Sequence, residues 1–343
     1  MRPRNLRKTT VLTVVTLFVV TALIGMSRAA SAAGYPLGDT RAMQNASMVL
    51  DWYPNSDHGG IFTAITKGYF KQHNINLTAH VPSDTSAQIK LVAAGRADFG
   101  ITYETDLLAA QLQHIPVRSV MCIMQHPLNT LMALKSSGII RPRQLVGRSV
   151  GSAGVPSDNV IIKAMMRYDH ADASKAKIVN VGFNLLPALL SKRVDALVGA
   201  YWNWEAVQAQ LKGQPVNVMR LEQWGVPNYC ELVVITNTKT VTSNPGLVRG
   251  VVQALQQGYS YAERHPSIAW DALHQQDKTL DQRLVLRSLA LLKPVILGAS
   301  TIGYHDGTQW QRYSSWLSSN KLISGPVTAS KAFTNQFLKS GVR

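Results

Sequence analysis

Residues 76–113 read NLTAHVPSDTSAQIKLVAAGRADFGITYETDLLAAQLQ, and this stretch decides the predicted fold. It predicts a strand over 76–81, a helix over 86–94, a strand over 97–101 and a helix over 107–113. Regular alternation of strands and helices is typical of a parallel-rich sheet with helices on its faces. The stretch therefore favours an α/β fold.

The same rhythm extends on both sides of this stretch. A strand at 48–50 and a helix over 61–67 precede it, and a strand over 117–123 follows. After a break near residues 136–138 the alternation restarts. This second unit is predicted to contain helices over 159–168, 185–191 and 205–211 and strands near 149–151, 178–181, 196–198, 216–219 and 232–236.

The last third of the chain is predicted to be mostly helical. Pro245 opens an amphipathic helix, since proline is favoured at the first helical position. Further helices are expected over 267–274, 280–292, 308–320 and 329–338. We therefore expect two Rossmann-like lobes, the first formed by 47–135 plus 237–343 and the second by 136–236, with a ligand cleft at the strand ends between them.

The N-terminal segment 1–33 has the pattern of a cleaved signal peptide. Basic residues come first, an apolar run follows from Val11 to about Ile24, and small residues end it at Ala29–Ala33. The alternative is a permanent membrane anchor, but the run is short for a spanning helix and a small-residue site follows it. We therefore expect export to the periplasm, with residues 34–46 as a linker.

Composition excludes a nucleic-acid protein and favours a globular one. The hydrophobic content is 46%, and the formal charge of +16 comes from 35 basic and 19 acidic residues. Without the five basic residues of the predicted signal, 30 basic residues remain against 19 acidic ones. These are scattered singly, without basic runs or interleaved aromatics, so no nucleic-acid partner is expected.

The chain has two cysteines, Cys122 and Cys230. Two cysteines cannot form a four-cysteine zinc site, and the histidines show no metal-binding spacing, so neither a metal nor a cofactor is expected. Export permits a disulfide without requiring one. Two free buried thiols are the preferred expectation, with a disulfide as the alternative.

Several motifs resemble those of the thiamine-pyrimidine-precursor family of solute-binding proteins. The opening motif LDWYPNSDHGG spans residues 50–60, and the motifs KGYFK at 67–71 and AGRADFG at 94–100 also occur in sulfonate, taurine and nitrate relatives. Segments similar to the pyrimidine branch are YWNWE at 201–205 and WGVPNYCEL at 224–232. The resemblance covers about residues 47–320.

The resemblance implies a type II periplasmic-binding fold, delivery of ligand to the permease and ATPase of an ABC importer, and an aminopyrimidine ligand. It also implies a monomeric binding protein without catalytic residues. The family includes a thiamine-pyrimidine synthase that consumes its own histidine and carries a cysteine-rich stretch. This chain has a single cysteine there, Cys230, which argues against that chemistry.

An aminopyrimidine needs aromatic rings for stacking, a carboxylate to accept from the amine, and amide or hydroxyl groups for the ring edge. Residues of these types follow the predicted strands or lie beside the return crossover. The candidate ligand-binding residues are Trp52, Asn55, His58, Tyr103, Glu104, Phe183, Asn184, Trp202, Glu205, Tyr229 and Glu231. We expect Trp52 and Trp202 to sandwich the ring while Glu205 accepts from its amine.

Structural roles are the alternative for these residues. Trp52 and Trp204 could pack in the core, Asn55 could cap a helix, and His58 could be a structural hydrogen-bonding group. Glu205 could simply favour a helix N-terminus.

Other ligands and functions stay open. The loops at 83–86 and 151–158 could hold a sulfonate or phosphate, but each contains an aspartate that disfavours an anion. The alternatives are therefore a binding protein for alkylsulfonates, taurine or nitrate-like anions, a secreted relative of the synthase, and a sensory input module.

Overall fold

The computed structural model describes residues 42–297 and 301–343, without the side chain of Leu297. The predicted signal segment 1–33 and most of the predicted linker lie outside the described residues. The first described strand begins at Gln44, within that linker. No helix in the described part of the chain is long and apolar enough to cross a membrane.

The first sheet combines parallel strands with antiparallel ones. Its order is β2-β1-β3-β10-β4. Strand β1 pairs in parallel with β2 and β3, and β10 runs antiparallel to β3 and β4. The strands are β1 (Gln44–Val49), β2 (Ile75–His80), β3 (Phe99–Thr102), β4 (Val117–Met124) and β10 (Leu232–Asn237).

The second sheet repeats this arrangement. Its order is β7-β6-β8-β5-β9. Strand β6 pairs in parallel with β7 and β8, and β5 runs antiparallel to β8 and β9. The strands are β5 (Asn129–Leu134), β6 (Ser149–Ser152), β7 (Lys177–Asn180), β8 (Ala196–Tyr201) and β9 (Val216–Arg220).

Helices follow seven of these strands and fill the C-terminal third of the described chain. The helices that follow strands are α1 (Gly59–Thr66), α2 (Gln88–Ala93), α3 (Glu104–Leu112), α4 (Pro156–Tyr168), α5 (Leu185–Leu190), α6 (Glu205–Leu211) and α7 (Thr238–Ser243). The C-terminal helices are α8 (Pro245–Arg264), α9 (Pro266–Gln276), α10 (Gln282–Leu297), α11 (Gly307–Ser319) and α12 (Ala329–Ala332).

Helix α8 shows how local sequence sets these boundaries. The Asn244 side chain accepts a hydrogen bond from the Leu247 amide, and Pro245 takes the first turn, where no amide hydrogen is needed. Its apolar face packs closely against α1. A Cβ on Gly258 would lie 2.2 Å from the Gly60 carbonyl oxygen, so this close approach requires glycine. The contact fixes α1 beside the end of β1.

The two crossovers lie earlier in the chain than the sequence predicts. The segment 129–134, which was not predicted as a strand, forms β5 and pairs within the second sheet. The predicted last strand of the second unit instead forms β10 and pairs within the first sheet. The chain therefore leaves the first sheet between Met124 and Asn129 and returns before Leu232, not near residues 135 and 236. Lobe boundaries placed at those positions put β5 and β10 in the wrong lobes.

The other predicted strands and helices largely coincide with observed elements. One exception is the final helix, predicted over 329–338, which ends at Ala332. Thr334 leaves the helix and its amide donates to the Ser119 carbonyl oxygen at 2.9 Å. This bond ties the C-terminal segment to the edge strand β4 of the first sheet.

Candidate functional site

A cavity lies at the strand ends of both sheets. From the first sheet come residues that follow β1 and β3, and from the second come residues that follow β6 and β7, lie in or follow β8, or begin β5. Its lining is Asp51, Trp52, Asn55, Tyr103, Asn129, Ala153, Val155, Ser157, Asp158, Leu185, Gly199, Tyr201, Trp204 and Glu205. No lysine, arginine or histidine occurs among these described lining residues.

The first carboxylate of the cavity is Asp51, directly after β1. Its side chain is buried, with Oδ1 at 2.8 Å from His58 Nε2 and Oδ2 at 3.5 Å from the Tyr103 hydroxyl. The Asn55 amide lies 3.4 Å from His58 Nδ1, so both ring nitrogens of this buried histidine are engaged. His58 thus holds Asp51 in place from behind the cavity wall.

The second carboxylate is Asp158, in the first turn of α4. Its Oδ2 accepts from the Ser152 hydroxyl at 2.6 Å and from the Ala153 amide at 3.2 Å. Gly199 allows this carboxylate to sit against β8, because its φ is +90° and a Cβ there would lie 2.8 Å from Asp158 Oδ1. Burial raises the pKa of Asp158 to about 7.

The third carboxylate is Glu205, the first residue of α6. Its Oε2 accepts from the Tyr201 amide at 2.7 Å, which turns the carboxyl group back towards the end of β8. Burial raises the pKa of Glu205 to about 7. With pKa values near neutrality, Glu205 and Asp158 can each accept or donate a hydrogen bond at physiological pH.

Two indoles, Trp52 and Trp204, supply the flat surfaces of the cavity. The Trp52 ring is covered on the outside by Phe183, with the ring centroids 4.7 Å apart. Trp52 comes from the first sheet and Phe183 from the loop after β7 of the second. This contact therefore spans the mouth of the cleft.

Four of the predicted site residues line the cavity: Trp52, Asn55, Tyr103 and Glu205. Asn55 also has the capping role considered as its alternative, since its Oδ1 accepts from the Asp57 amide at 2.7 Å. Phe183 lies at the cleft mouth. Asn184 is exposed at the start of α5 and lines none of the described cavities.

The structure places Trp202 outside the cavity. Its indole Nε1 donates to the Pro127 carbonyl oxygen at 2.9 Å, and the Arg220 guanidinium lies 4.3 Å from the ring centroid. The turn after β8 directs Trp204, two residues further on, into the cavity instead. The expected sandwich of Trp52 and Trp202 is therefore wrong, and Trp204 takes the predicted place of Trp202.

Glu231 lies behind the cavity wall, at the return crossover. Its Oε2 accepts from the Leu128 and Asn129 amides at 2.8 and 3.0 Å and from the Tyr229 hydroxyl at 3.0 Å. Tyr229 is buried and stacks on Tyr313, with centroids 4.5 Å apart. Glu231 and Tyr229 therefore support Asn129, which lines the cavity, and lie outside the lining themselves.

Glu104 is fully buried at the start of α3 and also lies outside the lining. Its Oε2 accepts from the Cys230 amide at 2.7 Å, and burial raises its pKa well above the usual range. Cys230 forms a disulfide with Cys122 of β4, with the Cα atoms 6.0 Å apart. The expectation of two free thiols is wrong, because β4 and the segment before β10 are neighbours only in the folded sheet.

The predicted ligand-binding set leaves out several lining residues, chiefly Asp51, Asn129, Asp158, Tyr201 and Trp204. Asp51 follows β1 as directly as Trp52 does, so the rule that selected Trp52 could have found it. Asp158 was considered only as a charge that disfavours an anion at the 151–158 loop. Asn129 begins a strand that was not predicted, and no local signal pointed to it.

Comparison with known proteins identifies a matching family and several proteins of similar sequence. Residues 55–269 match the family described as NMT1/THI5 like. The formylaminopyrimidine-binding protein of Halalkalibacterium halodurans is 29% identical over 92% of this chain and 98% of its own length. The 4-amino-5-hydroxymethyl-2-methylpyrimidine phosphate synthase of Legionella pneumophila is 27% identical over 85% of this chain and 92% of its own.

Among solved structures, the alkanesulfonate-binding protein of Xanthomonas axonopodis pv. citri, bound to MOPS, superimposes with a TM-score of 0.69. The match covers 86% of this chain and 99% of that one, at 15% identity. It confirms the predicted fold class, a two-lobed α/β periplasmic-binding-protein fold. At this identity the likeness concerns the fold alone.

Proposed function

The chain belongs to the NMT1/THI5-like family, and from this premise we propose that it is an exported binding protein that delivers an aminopyrimidine precursor of thiamine to an ABC importer. The observation that carries the proposal is the cavity lining, which combines three carboxyl groups with two indoles and contains no described basic residue. The similarity to a formylaminopyrimidine-binding protein over 98% of its length supports it.

The cavity suits the edge of an aminopyrimidine. The exocyclic amine donates hydrogen bonds, and the adjacent ring nitrogen accepts one. A carboxyl group with a pKa near neutrality, such as Glu205 or Asp158, can accept from the amine and donate to the ring nitrogen. Trp52 and Trp204 offer ring faces for stacking. We expect Glu205 to contact the amine.

A sulfonate or other anion fits this cavity poorly. It would enter a buried space beside Asp51, Asp158 and Glu205, with no described cation in the lining to offset the repulsion. The solved alkanesulfonate-binding protein shares the fold, but at 15% identity it does not extend its ligand to this chain.

An enzymatic role like that of the Legionella synthase has less support. The buried His58 has both ring nitrogens engaged, by Asp51 and by the Asn55 amide, and it is outside the cavity lining. A histidine held in this way positions Asp51 and is not presented to a ligand. We therefore propose a binding function without catalysis.

Export is part of the proposal. The signal-like segment supports it, and the Cys122–Cys230 disulfide suits an oxidising compartment outside the cytoplasm. The permease and ATPase would be the partners of the closed, ligand-bound protein.

The test is thermal unfolding and calorimetry of the purified protein with hydroxymethylpyrimidine, formylaminopyrimidine, riboflavin, taurine and an alkylsulfonate. Ligand at one hundred times its dissociation constant should stabilise the protein by about 2.7 kcal/mol. Stabilisation by the pyrimidines and not by the sulfonates supports the proposal. Stabilisation by the sulfonates alone would contradict it.

A further inference from the structure

A second compartment, called the outer compartment, adjoins the candidate binding cavity. The lining of this outer compartment includes Tyr53, Phe183, Gln208, Lys212, Asp277 and Asp281, together with several leucine and proline side chains. It shares Trp52, Leu185, Trp204 and Glu205 with the inner cavity. Because these four residues line both spaces, the two compartments are immediate neighbours.

We propose that the outer compartment is a second subsite that holds a flat ring attached to the aminopyrimidine, so that the ligand class is a two-ring aminopyrimidine. This inference rests on the aminopyrimidine-binding role of the proposed function and replaces its single-ring precursor with a two-ring ligand, because a hydroxymethyl or formylamino substituent alone would leave the outer compartment empty.

The aromatic residues of the outer compartment indicate a ring. The Tyr53 side chain is 49% exposed although it lies in a concave surface, and its ring centroid is 4.5 Å from that of Phe183. Phe183 in turn contacts Trp52 of the inner cavity. A continuous aromatic surface therefore runs from the inner cavity to Tyr53, and a large exposed ring of this kind is an efficient contact for a flat ligand.

The charges of the outer compartment favour a neutral or cationic ring over a phosphate. Arg283, one of its two basic residues, lies 3.4 Å from Asp281 and is paired with it. The other charged groups are Lys212, Asp277 and the shared Glu205. A cationic ring over Tyr53 and Phe183 would also gain a cation–π interaction.

The probe for this inference is thiamine, whose aminopyrimidine is joined by one methylene group to a cationic thiazolium ring. Calorimetry on the full protein compares thiamine, hydroxymethylpyrimidine and thiamine monophosphate. We expect thiamine to bind at least tenfold more tightly than hydroxymethylpyrimidine, and the monophosphate to bind more weakly than thiamine.

Two variants test whether the difference in affinity between thiamine and hydroxymethylpyrimidine arises in the outer compartment. Tyr53→Ala and Asp277→Asn should each weaken thiamine binding five- to tenfold and change hydroxymethylpyrimidine binding less than twofold. The matched control is Tyr304→Ala, since Tyr304 is 42% exposed and lies outside both compartments. It should change neither affinity.

The outcomes separate this inference from the proposed function. If hydroxymethylpyrimidine binds and thiamine does not, the second subsite is wrong and the proposed function stands. The inference is also overturned if Tyr53→Ala, at an unchanged melting temperature, weakens both ligands equally or neither. If no pyrimidine binds, the proposed function itself fails.

Discussion

Asp57 and Asn203 face each other between the two sheets, and the Asn203 side chain donates a hydrogen bond from Nδ2 to Asp57 Oδ1 over 2.7 Å. Asp57 follows β1 of the first sheet, and Asn203 follows β8 of the second. Both side chains are buried. Within the described residues, Asp57 Oδ2 and Asn203 Oδ1 have no hydrogen-bond partner.

These two atoms are both acceptors, so a proton on Asp57 Oδ2 gives the pair the donor that it lacks. Burial raises the pKa of Asp57 well above its usual range, and the nearby carboxylates of Asp51, Glu205 and Glu231 raise it further. The hydrogen bond from Asn203 lowers the pKa of Asp57, but burial and the neighbouring acids raise it more, so the folded state favours the protonated acid compared with an exposed aspartate.

The first prediction concerns this pair. In Asp57→Asn, the new amide can donate where the protonated acid would, without titrating. We expect a melting temperature close to that of the wild type at pH 5 and higher than the wild type at pH 8. Asp57→Leu should lower stability by about 1–3 kcal/mol, since it removes the buried hydrogen bond from Asn203 Nδ2, which keeps only its bond to the Ser288 hydroxyl.

Thermal unfolding of both variants and the wild type at the two pH values checks this. The interpretation requires a neutral amide at position 57 to be more stabilising at pH 8 than an ionised carboxylate. It is wrong if Asp57→Asn is less stable than the wild type at that pH.

The second prediction is that stability falls as pH rises. Burial raises the pKa of Asp106, Asp158, Glu205 and Glu231 to about 7, whereas unfolded carboxyl groups titrate near pH 4. Between these values the folded state binds more protons than the unfolded state. The free energy of unfolding must therefore decrease from about pH 4 to about pH 7.

Two histidines, His73 and His305, act in the opposite direction, because burial lowers the pKa of each. Burial lowers the pKa of His305 to about 3, so its contribution to stability grows as pH rises to about 6.5. Since Asp57 and Glu104 also have raised pKa values, six carboxyl groups oppose these two histidines, and the melting temperature of the unliganded protein should be higher at pH 5 than at pH 8. A melting temperature that increases steadily over this range would contradict the prediction.

The third prediction concerns Glu205 and the ligand. Glu205→Gln keeps an oxygen that can accept from the Tyr201 amide, so the fold should survive. The variant loses a charge-assisted hydrogen bond to the amine, which is worth about 1.5–3 kcal/mol, or roughly a ten- to hundredfold weaker affinity for hydroxymethylpyrimidine. Calorimetry measures it, with the half-exposed Glu222→Gln as the control. Equal affinities in Glu205→Gln and the wild type would remove Glu205 from the site.

The fourth prediction concerns the Cys122–Cys230 disulfide, which joins residues 108 positions apart in the chain. Closing a loop of that length removes unfolded-state entropy worth about 4–5 kcal/mol. The double variant Cys122→Ala/Cys230→Ala should therefore melt well below the wild type, and a reductant should lower the melting temperature of the wild type only. If reduction leaves the wild type unchanged, the disulfide contributes little to stability.

Local sequence patterns predicted the positions of the strands and helices better than they predicted which strands pair with each other. Strands β5 and β10 are buried on both faces, so their local sequence does not indicate the sheet to which each belongs. Each strand's pairing with a strand that is distant in sequence determines which sheet it joins. For the same reason, the proximity of Cys122 and Cys230 could not be read from the chain.

In the site, too, some residues could be predicted from local sequence and others depend on residues distant in the chain. Trp52, Tyr103 and Glu205 could be predicted because they follow strands, and strand ends of α/β sheets gather at one edge. Asp158 could not, because its place in the cavity depends on Gly199 of another strand leaving room for the carboxylate. Trp202 was misassigned because the turn after β8 does not continue the two-residue alternation of the strand.

The fifth prediction tests this last point with a matched pair of variants. Trp204 lines the cavity, whereas Trp202 is fixed outside it by Pro127 and Arg220. Trp204→Ala should weaken hydroxymethylpyrimidine binding at least tenfold, since it removes one ring face from the ligand. Trp202→Ala should lower the melting temperature and change the affinity less than threefold. If the variants show the reverse, Trp202 is the stacking residue and the turn after β8 must differ when ligand is bound.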